Sequence, residues 1–550
     1  MLTIVVRSQA VVIGLFLLSS GGLRLNFIDT GADWGLISKT TFGNSEHNTY
    51  ILESTGNGAA IFDFDGDGRN DVLITNGTTL GAKAGEGAGL LLYRNEGSGR
   101  FREMGAAAGL KGVGWAQAAC VADIDNDGDS DLVVTYYGFN RLFRNEGGRF
   151  EDVTKAAGLP VAGTRWGSGC AWFDYDRDGF VDLFIANYVD LDLHRAPKPG
   201  DGPDCIWKGM PVFCGPLGLP KARNVLYRNR RDGTFEDVSE KAGILKPGGR
   251  YALGVTVADF NNDGWPDIYV ACDQTPSELY ENRHDGSFLE RGVEAGVAYN
   301  VDGRLQSGMG VAVADVDGNG FLDIVRTNFS GDLPSLYLNE DGRFYRDAAR
   351  EGGLGAHQLL GWGAAFIDVD EDGLADLVIA NGHVYPEIDR SKLGERYRQL
   401  TLLYRNLGEA KFSDVTAMAG EPFRVARSAR GLAVGDLDGD GRPEIIIVNM
   451  NERPTVLKNT TTRGNWVSIV LEGTKSNRSA IGARVSVEAN GRRQIAEVSA
   501  GGSYYSQHDK ALHFGLGRAA SIKTLEVRWP DGRAQVFRDV AANRTIVYRE

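Results

Sequence analysis

The stretch Phe62-Asp-Phe-Asp-Gly-Asp-Gly-Arg-Asn-Asp71 decides the fold that this sequence predicts. It places carboxylates at Asp63, Asp65, Asp67 and Asp71, with Gly68 at the tightest point of the turn. Apolar, β-prone segments at residues 60–62 and 72–74 flank it and predict two short strands joined by a loop. Because carboxylates at this spacing repel one another, and because Ca²⁺ prefers six to eight oxygen ligands, the stretch predicts a calcium loop.

The loop recurs six more times, at start-to-start spacings of 60, 51, 85, 56, 53 and 68 residues. We expect side-chain oxygens from positions one, three, five and nine of each loop, and the backbone carbonyl of position seven, which is Arg69 in the first loop. The other predicted ligands are Asp123, Asp125, Asp127 and Asp131; Asp174, Asp176, Asp178 and Asp182; Asp259, Asn261, Asp263 and Asp267; Asp315, Asp317, Asn319 and Asp323; Asp368, Asp370, Asp372 and Asp376; and Asp436, Asp438, Asp440 and Glu444. The alternative is that the carboxylates only form Asx-type turns. Seven in-phase copies favour up to seven bound Ca²⁺.

Two further signatures run in step with the loops. A phrase of the type F-x-D-V-T-x-x-A-G-L begins at Phe27, Phe101, Phe150, Phe235, Phe288, Phe344 and Phe412, and L-Y-R-N or a relative follows most loops. These pieces predict a four-stranded blade per repeat, and self-similarity at this period is typical of propellers and solenoids. The fold class is therefore all-β, a seven-bladed β-propeller over residues 27–459. If each phrase supplies the outer strand of the preceding blade, the segment at Phe27 closes the ring; an open solenoid is the alternative.

After a short linker at residues 460–464 the pattern changes. Seven short strands are predicted between Trp466 and Tyr548, with a strong turn at Pro530-Asp-Gly532. This spacing favours a separate small β-sandwich or barrel over residues 465–550.

The N-terminus predicts export. A basic residue, an apolar run and small residues in positions 1–22 are typical of a secretory signal peptide, although an uncleaved anchor or a misplaced start site would give the same pattern. No other apolar stretch is long enough to span a membrane. The formal charge of −14 without a basic stripe argues against a nucleic-acid partner, and seven Ca²⁺ would cancel it. We expect a secreted, periplasmic or cell-surface protein.

The five cysteines cannot all pair within one chain. Cys205 and Cys214 lie close together in a Pro- and Gly-rich insert and form either a local disulfide or two free thiols. Cys120 and Cys170 lie in apolar strand-like runs and are expected to be buried small apolar residues. The absence of a Cys-x-x-Cys pair argues against a zinc or thioredoxin-type site.

The seven D-x-D-x-D-G-x-x-D loops resemble FG-GAP/VCBS repeats, as in the integrin α-chain propeller. Residues 476–485, 501–507 and 512–517 resemble the ASPIC/UnbV domain, and with residues 208–216 and 381–389 the whole chain resembles a bacterial member of the cartilage acidic protein family. The resemblance implies a secreted, calcium-binding propeller with possible adhesion or matrix interaction and no agreed enzymatic activity. Asn261, Asn319 and Glu444 depart from the all-Asp pattern, which implies weaker sites.

Three functions fit these features. The leading hypothesis is a protein- or glycan-binding adhesion module with structural calcium, in which two long inserts, residues 188–223 and 382–399, are candidate surfaces. A polysaccharide lyase or hydrolase is the second, with His194, His357 and His383 as the best candidates, although no catalytic motif is present. An assembly scaffold is the third, with Tyr504 and Tyr505 as an exposed aromatic patch or a core strand. Trp115, Trp166 and Trp362 either line one end of the ring or pack between blades.

Overall fold

A computed structural model describes residues 25–82, 89–111, 114–355, 359–461 and 463–550 of the chain. The predicted signal peptide and His357 lie outside these residues. Helix in the described part is confined to Gly292–Ala295 and five short 3₁₀ turns, at Ile51–Glu53, Pro203–Cys205, Pro386–Arg390, Thr416–Met418 and Glu421–Arg424. The all-β prediction is confirmed.

Within the described residues, the repeats form seven antiparallel units of four strands, which we call blades one to seven. Blades two and three are joined into one eight-stranded sheet, because Arg165 and Trp166 pair with Gly138 and Tyr137. The innermost strands are Ala59–Phe62, Ala116–Ala122, Arg165–Phe173, Ala252–Ala258, Gly308–Ala314, Gly361–Ile367 and Ala429–Gly435. The second strands are Asp71–Ile74, Asp131–Gly138, Asp182–Asp190, Asp267–Cys272, Asp323–Asn328, Asp376–Asn381 and Glu444–Asn449. The third strands are Leu91–Asn95, Arg141–Asn145, Val225–Asn229, Glu278–Asn282, Ser335–Asn339, Leu402–Asn406 and Thr455–Asn459. The outer strands are Phe101–Glu103, Phe150–Asp152, Phe235–Asp237, Phe288–Glu290, Tyr345–Asp347, Phe412–Asp414 and, for blade seven, Phe27–Asp29.

The blades close into a ring, because each innermost strand contacts the next and the innermost strand of blade seven contacts that of blade one. Small residues make this approach possible: a Cβ on Gly310 would lie 2.0 Å from the carbonyl oxygen of Trp362 in the next blade. The N-terminal strand pairs with the third strand of blade seven, with Phe27 opposite Asn459, as the repeat phase predicts. This closure leaves the ring without a free end.

The repeat phrase is shifted by one residue in blade five. The sequence places its start at Phe344, but the outer strand begins at Tyr345, which pairs with Asn339 and is buried. Phe344 is 55% exposed. Both residues are aromatic, and Tyr345 fills the interior position because the strand register fixes which side chain points inward.

An asparagine recurs at the end of every third strand and connects neighbouring blades by a hydrogen bond. Its side-chain amide donates to the carbonyl oxygen of loop position two in the preceding blade, over 2.7–3.1 Å. The seven asparagines are Asn95, Asn145, Asn229, Asn282, Asn339, Asn406 and Asn459, and all are buried. The N of the L-Y-R-N signature is therefore an inter-blade hydrogen-bond donor.

We expect Asn145→Ala to destabilise the ring by about 2 to 4 kcal/mol, because it leaves the buried carbonyl of Phe64 and the partly buried carbonyl of Ser130 without their donor. Equilibrium urea unfolding measures this. Lys155→Ala, an exposed substitution in the same blade, serves as the control and should change stability by less than about 0.5 kcal/mol. Equal values for the two variants would contradict the inter-blade role.

The C-terminal strands form two sheets. One contains Leu512–Gly517, Asn465–Glu472 and Arg544–Arg549, and the other contains Arg492–Glu497, Arg484–Ala489, Ser521–Arg528 and Ala534–Ala541. The first pairs Asn465–Glu472 with Arg544–Arg549 in parallel. Val485, Val487, Leu525 and Val527 are buried while their neighbours alternate outward, as expected for strands with one interior face.

Residues 500–509, which we call the plug segment, enter the centre of the ring. Tyr504 and Tyr505 are fully buried there, so they form neither an exposed patch nor a core strand of the C-terminal sheets. Hydrogen bonds join the plug segment to the innermost strands: Gln507 N–H to Ala59 O, Ile61 N–H to Gln507 O, Trp172 N–H to Ala500 O, Val311 N–H to Ser503 O and Asp509 N–H to Val434 O. The side-chain amide of Gln507 also exchanges two bonds with the backbone of Val121. The plug segment thereby satisfies backbone groups at the ring's centre.

The structure corrects one cysteine prediction. Cys120 and Cys170 form a disulfide between the innermost strands of blades two and three, instead of remaining separate small apolar residues. They are 50 residues apart, and only the packing of adjacent blades brings them together. Cys205 and Cys214 form the predicted local disulfide, and Cys272 is free and buried.

Candidate functional site

The acidic loops have one shared geometry. In the first loop, the carboxylate of Asp63 accepts hydrogen bonds from the N–H groups of Gly66, Asp67 and Gly68. The carboxylate of Asp71 accepts one bond from Phe64 N–H and one from Asn95 N–H. Position one thus shapes the turn and position nine fastens it to the third strand, so the carboxylates do form Asx-type turns. Each oxygen keeps further lone pairs for a cation.

Loop carboxylates converge closely enough to share one ion. In five loops, three carboxylates offer oxygens that all lie within 4.8 Å of one another, and one further such group exists among the described residues. The five groups are Asp63, Asp65 and Asp71; Asp123, Asp125 and Asp127; Asp174, Asp176 and Asp182; Asp315, Asp317 and Asp323; and Asp368, Asp370 and Asp376.

In three of these groups, one buried carboxylate oxygen has no hydrogen-bond partner. It is Oδ1 of the position-three residue, which is Asp65, Asp176 or Asp370. A buried carboxylate oxygen without a donor is costly unless a cation meets it, and the same atom is orphaned in three separate loops. This all-oxygen donor set fits Ca²⁺, which when bound would supply the positive charge that the loop lacks.

Without a bound cation, the surroundings of the loop carboxylates disfavour their ionised form. Burial, joined by repulsion from neighbouring loop carboxylates, raises the pKa of Asp71 to about 7 and that of Asp131 to about 8, although backbone N–H groups oppose the shift. Burial likewise raises the pKa of Asp174 to about 7. A divalent cation would reverse this balance because it favours the charged form.

Basic side chains next to several loops were missed by the sequence reasoning. Arg94 contacts Asp65 and Asp67, and the residues at the same place in blades three and six, Arg228 and Arg405, contact positions three and five of their loops. Lys458 does the same in blade seven. The signal was present as the R of L-Y-R-N. Blades four and five have Glu281 and Leu338 there, so their loops lack this counter-charge.

Arg69 lies at position seven of the first loop, as the sequence predicts. Its N–H donates to Asp67 Oδ1, and its guanidinium contacts the same carboxylate and Asn95 O. This arrangement holds the loop backbone in a tight turn.

The C-terminal sheets cover most of the loop face. Arg478 N–H donates to Asn126 in loop two, Arg484 donates to Asp259 O in loop four, and His513 contacts Glu371 in loop six. Trp466 lies on Gly441 of loop seven, where a Cβ would be 1.7 Å from the ring. Residues 465–550 carry 13 Lys and Arg against 8 Asp and Glu, so a basic unit covers an acidic face.

The two long inserts meet at the opposite end of the ring. They join second to third strands, whereas the acidic loops join first to second strands, and these connections lie at opposite ends of an antiparallel sheet. Trp207, in the small hairpin of Ile206–Trp207 and Met210–Pro211, packs against His383 at 5.0 Å and Tyr385 at 5.7 Å. Lys208 Nζ lies 2.5 Å from Glu395 Oε1. The inserts thus form one cap.

The described candidate histidines and the three tryptophans lie in separate places, and most of them are buried. His383 is fully buried beneath Trp207, and burial lowers its pKa despite the opposing effect of Glu395. His194 is exposed. Trp115, Trp166 and Trp362 are buried, and Trp362 packs against Tyr504 of the plug segment at 4.7 Å.

We expect Cys205→Ser/Cys214→Ser to loosen the cap without unfolding the ring. A disulfide across so short a loop stabilises by roughly 2.5 kcal/mol in the chain-entropy model, and here it holds the hairpin that carries Trp207. Limited proteolysis should cut residues 196–219 faster in the variant, while the global unfolding midpoint changes little. Unchanged cleavage would contradict the prediction; Cys272→Ser is the control for loss of a cysteine elsewhere.

Family comparisons agree with the repeat architecture. The model described as FG-GAP-like repeat matches residues 63–134, 123–185, 212–270, 259–326 and 315–379, which together span more than half of the chain. The model described as ASPIC and UnbV matches residues 473–550.

Individual relatives match across both parts of this chain. Cartilage acidic protein 1 of Homo sapiens is 27% identical over 511 residues, covering 88% of this chain and 70% of the relative. That of Xenopus tropicalis is 28% identical over 506 residues, covering 86% and 70%.

Solved structures resemble the chain only distantly. An exotype rhamnogalacturonan lyase is 13% identical, with a TM-score of 0.33 and coverage of 92% of both chains. An Agrocybe aegerita lectin that recognises non-reducing terminal N-acetylglucosamine is 18% identical, with a TM-score of 0.36 and coverage of 66% of this chain and 79% of its own. Likeness at this level carries no functional argument.

In the described part of the chain, no helix has the length and apolar character needed to cross a bilayer.

Proposed function

Because this chain belongs to the FG-GAP-like repeat family and ends in an ASPIC and UnbV domain, we propose that it is an exported, calcium-stabilised propeller that binds a protein or glycan partner. The proposal assigns calcium to the seven acidic loops and partner recognition to surfaces outside them. It assigns no catalytic step to the chain.

The observation that carries the calcium proposal is the orphaned position-three oxygen of Asp65, Asp176 and Asp370. Three loops in different blades leave the same buried atom without a donor, which a cation in each loop would explain. In the remaining four loops, which begin at Asp123, Asp259, Asp315 and Asp436, no such orphan occurs among the described atoms. We propose that those sites bind more weakly.

A binding role is favoured over an enzymatic one by where the charged groups lie. The carboxylates are spread around the ring, fastened by backbone N–H groups and largely covered by the C-terminal sheets, so they suit a structural role. The buried His383 has Glu395 and Trp207 as neighbours, an arrangement that holds the cap together.

Export is favoured by the two disulfides, since disulfides persist mainly in oxidising compartments. The net charge of −14 argues against a nucleic-acid partner, because binding to phosphates requires a basic surface.

Calcium binding and partner binding are tested together on the secreted protein. Isothermal titration of the chelator-stripped protein should give several calcium sites per chain. A glycan array and a pull-down from extracellular protein extract, each with and without calcium, should give a ligand that depends on calcium. Zero calcium stoichiometry would overturn the metal proposal. Turnover of a polysaccharide would replace the binding module with the enzyme.

A further inference from the structure

A wide cleft separates the C-terminal sheets from the propeller beside blades five and six. Its volume is about 1040 Å³. It exists because the C-terminal sheets press on loops six and seven but stay clear of loop five. A Cβ on Gly373 of loop six would meet Gln494 at 3.1 Å, whereas a Cβ on Gly318 or Gly320 of loop five would meet nothing within 4 Å.

The two walls of the cleft offer opposite kinds of hydrogen-bonding group. The C-terminal wall is the strand Arg492–Glu497, which carries the exposed side chains of Arg492 and Arg493. Arg493 Nε donates to Ser486 Oγ, so Arg493 offers a ligand its terminal N–H groups. The propeller wall presents Glu409 in the hairpin of blade six, with Lys411 close by; Asp317 of loop five also lines this wall but is assigned to calcium. Guanidinium groups only donate hydrogen bonds and carboxylates only accept them.

The floor between these walls is apolar. Phe366 and Val313 are only partly buried and line the cleft, although both belong to innermost strands whose other side chains are mostly buried. An aromatic face at the base, with donors on one wall and acceptors on the other, suits a ligand that has apolar faces and many hydroxyl groups. Each hydroxyl both donates and accepts, so it can use both walls.

We infer that this cleft is the ligand site of the proposed binding function, and that its ligand is a short oligosaccharide, since the volume is at the upper end of ordinary ligand pockets. The inference rests on the binding function and adds the place and the chemical class. Phe366 would stack on a sugar face, Arg492 and Arg493 would donate to ring substituents, and Glu409 would accept from hydroxyl groups.

An extended peptide is the competing occupant, because Arg492–Glu497 is an edge strand of its sheet. The observations favour a sugar. The side chain of Gln494, in the middle of this strand, donates to Gly515 O, and loop six presses on the same side chain. A peptide would therefore lack a continuous edge on which to pair.

The test uses the full chain in calcium with two probes, chitotetraose as a neutral sugar and tetragalacturonate as an acidic one. Titration calorimetry measures affinity, and hydrogen exchange maps the protected residues. We expect at least one sugar to bind and to protect residues 491–497 and 407–411. Arg492→Ala/Arg493→Ala should weaken that sugar at least tenfold, and Phe366→Leu about threefold. Arg538→Ala/Arg544→Ala, which removes the same charge from exposed positions elsewhere on the two C-terminal sheets, is the matched control.

Each outcome decides the inference. If a sugar binds equally to both double variants, or protects the cap at residues 206–211 instead, the cleft assignment is wrong while the proposed binding function stands. If neither sugar binds the native chain, or if an acidic hexapeptide protects residues 491–497 where the sugars do not, the oligosaccharide assignment is wrong. Calcium stoichiometry, measured in parallel, reports on the metal proposal independently.

Discussion

Removal of calcium with EGTA is expected to lower the thermal unfolding midpoint by about 10 to 20 °C, the largest effect that the proposed function predicts. A ligand that binds only the folded state stabilises it by about 2.7 kcal/mol per site at a hundredfold excess over Kd. Seven such loops give an upper bound of roughly 19 kcal/mol, and the entropy of unfolding of a chain this size converts each kcal/mol into about 1 °C.

The physical reason lies in the buried loop carboxylates. Without a cation, the burial that raises the pKa of Asp71 and Asp131 also makes their ionised forms costly at neutral pH, and the neighbouring carboxylates add repulsion. Differential scanning calorimetry with EGTA, and again after calcium is restored, measures the change. Magnesium is the control, because it keeps its waters and demands tighter geometry, and it should restore little. An unchanged midpoint would remove the calcium proposal.

Tyr504→Ala is expected to cost about 3 to 5 kcal/mol, the usual range for loss of a fully buried aromatic side chain. The ring of Tyr504 stacks on Tyr505 at 3.9 Å and meets Trp362 of blade six at 4.7 Å. Its loss leaves a cavity at the centre of the ring, where the surrounding blades cannot collapse because each is held by its neighbours. The plug segment should then bind the innermost strands less tightly.

Equilibrium urea unfolding measures the loss, and limited proteolysis at residues 460–464 reports whether the C-terminal sheets have loosened from the ring. Phe344→Ala is the control, because that side chain is 55% exposed and its loss should cost less than about 0.5 kcal/mol. If the two variants unfold alike, or if the linker stays protected in Tyr504→Ala, the plug segment does not stabilise the propeller.

Local pattern was sufficient for the repeat architecture. The spacing of Asp63, Asp65, Asp67 and Asp71 fixes a turn between two strands, because position one must reach three N–H groups that follow it within five residues. The phase of the F-x-D phrase predicted that Phe27 would close blade seven, and it pairs there with Asn459. The C-terminal strands were also found from alternation and turn residues. The loops and strands are decided by neighbours in sequence, and the phase of the repeat extends that local pattern to the closure of the ring.

Contacts between distant segments could not be predicted in this way. The disulfide of Cys120 and Cys170, the meeting of Trp207 with His383, and the burial of Tyr504 each depend on how complete blades and sheets pack. A short run such as Gly-Gly-Ser-Tyr-Tyr-Ser-Gln has no periodicity that distinguishes a plug from a surface loop. The cleft beside loop five exists because the C-terminal sheets contact loops six and seven and leave loop five clear, and no local spacing in the sequence predicts this.

The sequence by itself therefore determined the repeated strands, the number of repeats and the acidic loops, since each depends on turns and alternation that recur along the chain every 51 to 85 residues. Only the tertiary structure decided that a basic C-terminal unit covers the acidic face, that its plug segment fills the centre of the ring, and that the two inserts form one cap. The physical reason is that burial and charge neutralisation between distant segments depend on surfaces that exist only after each blade has folded.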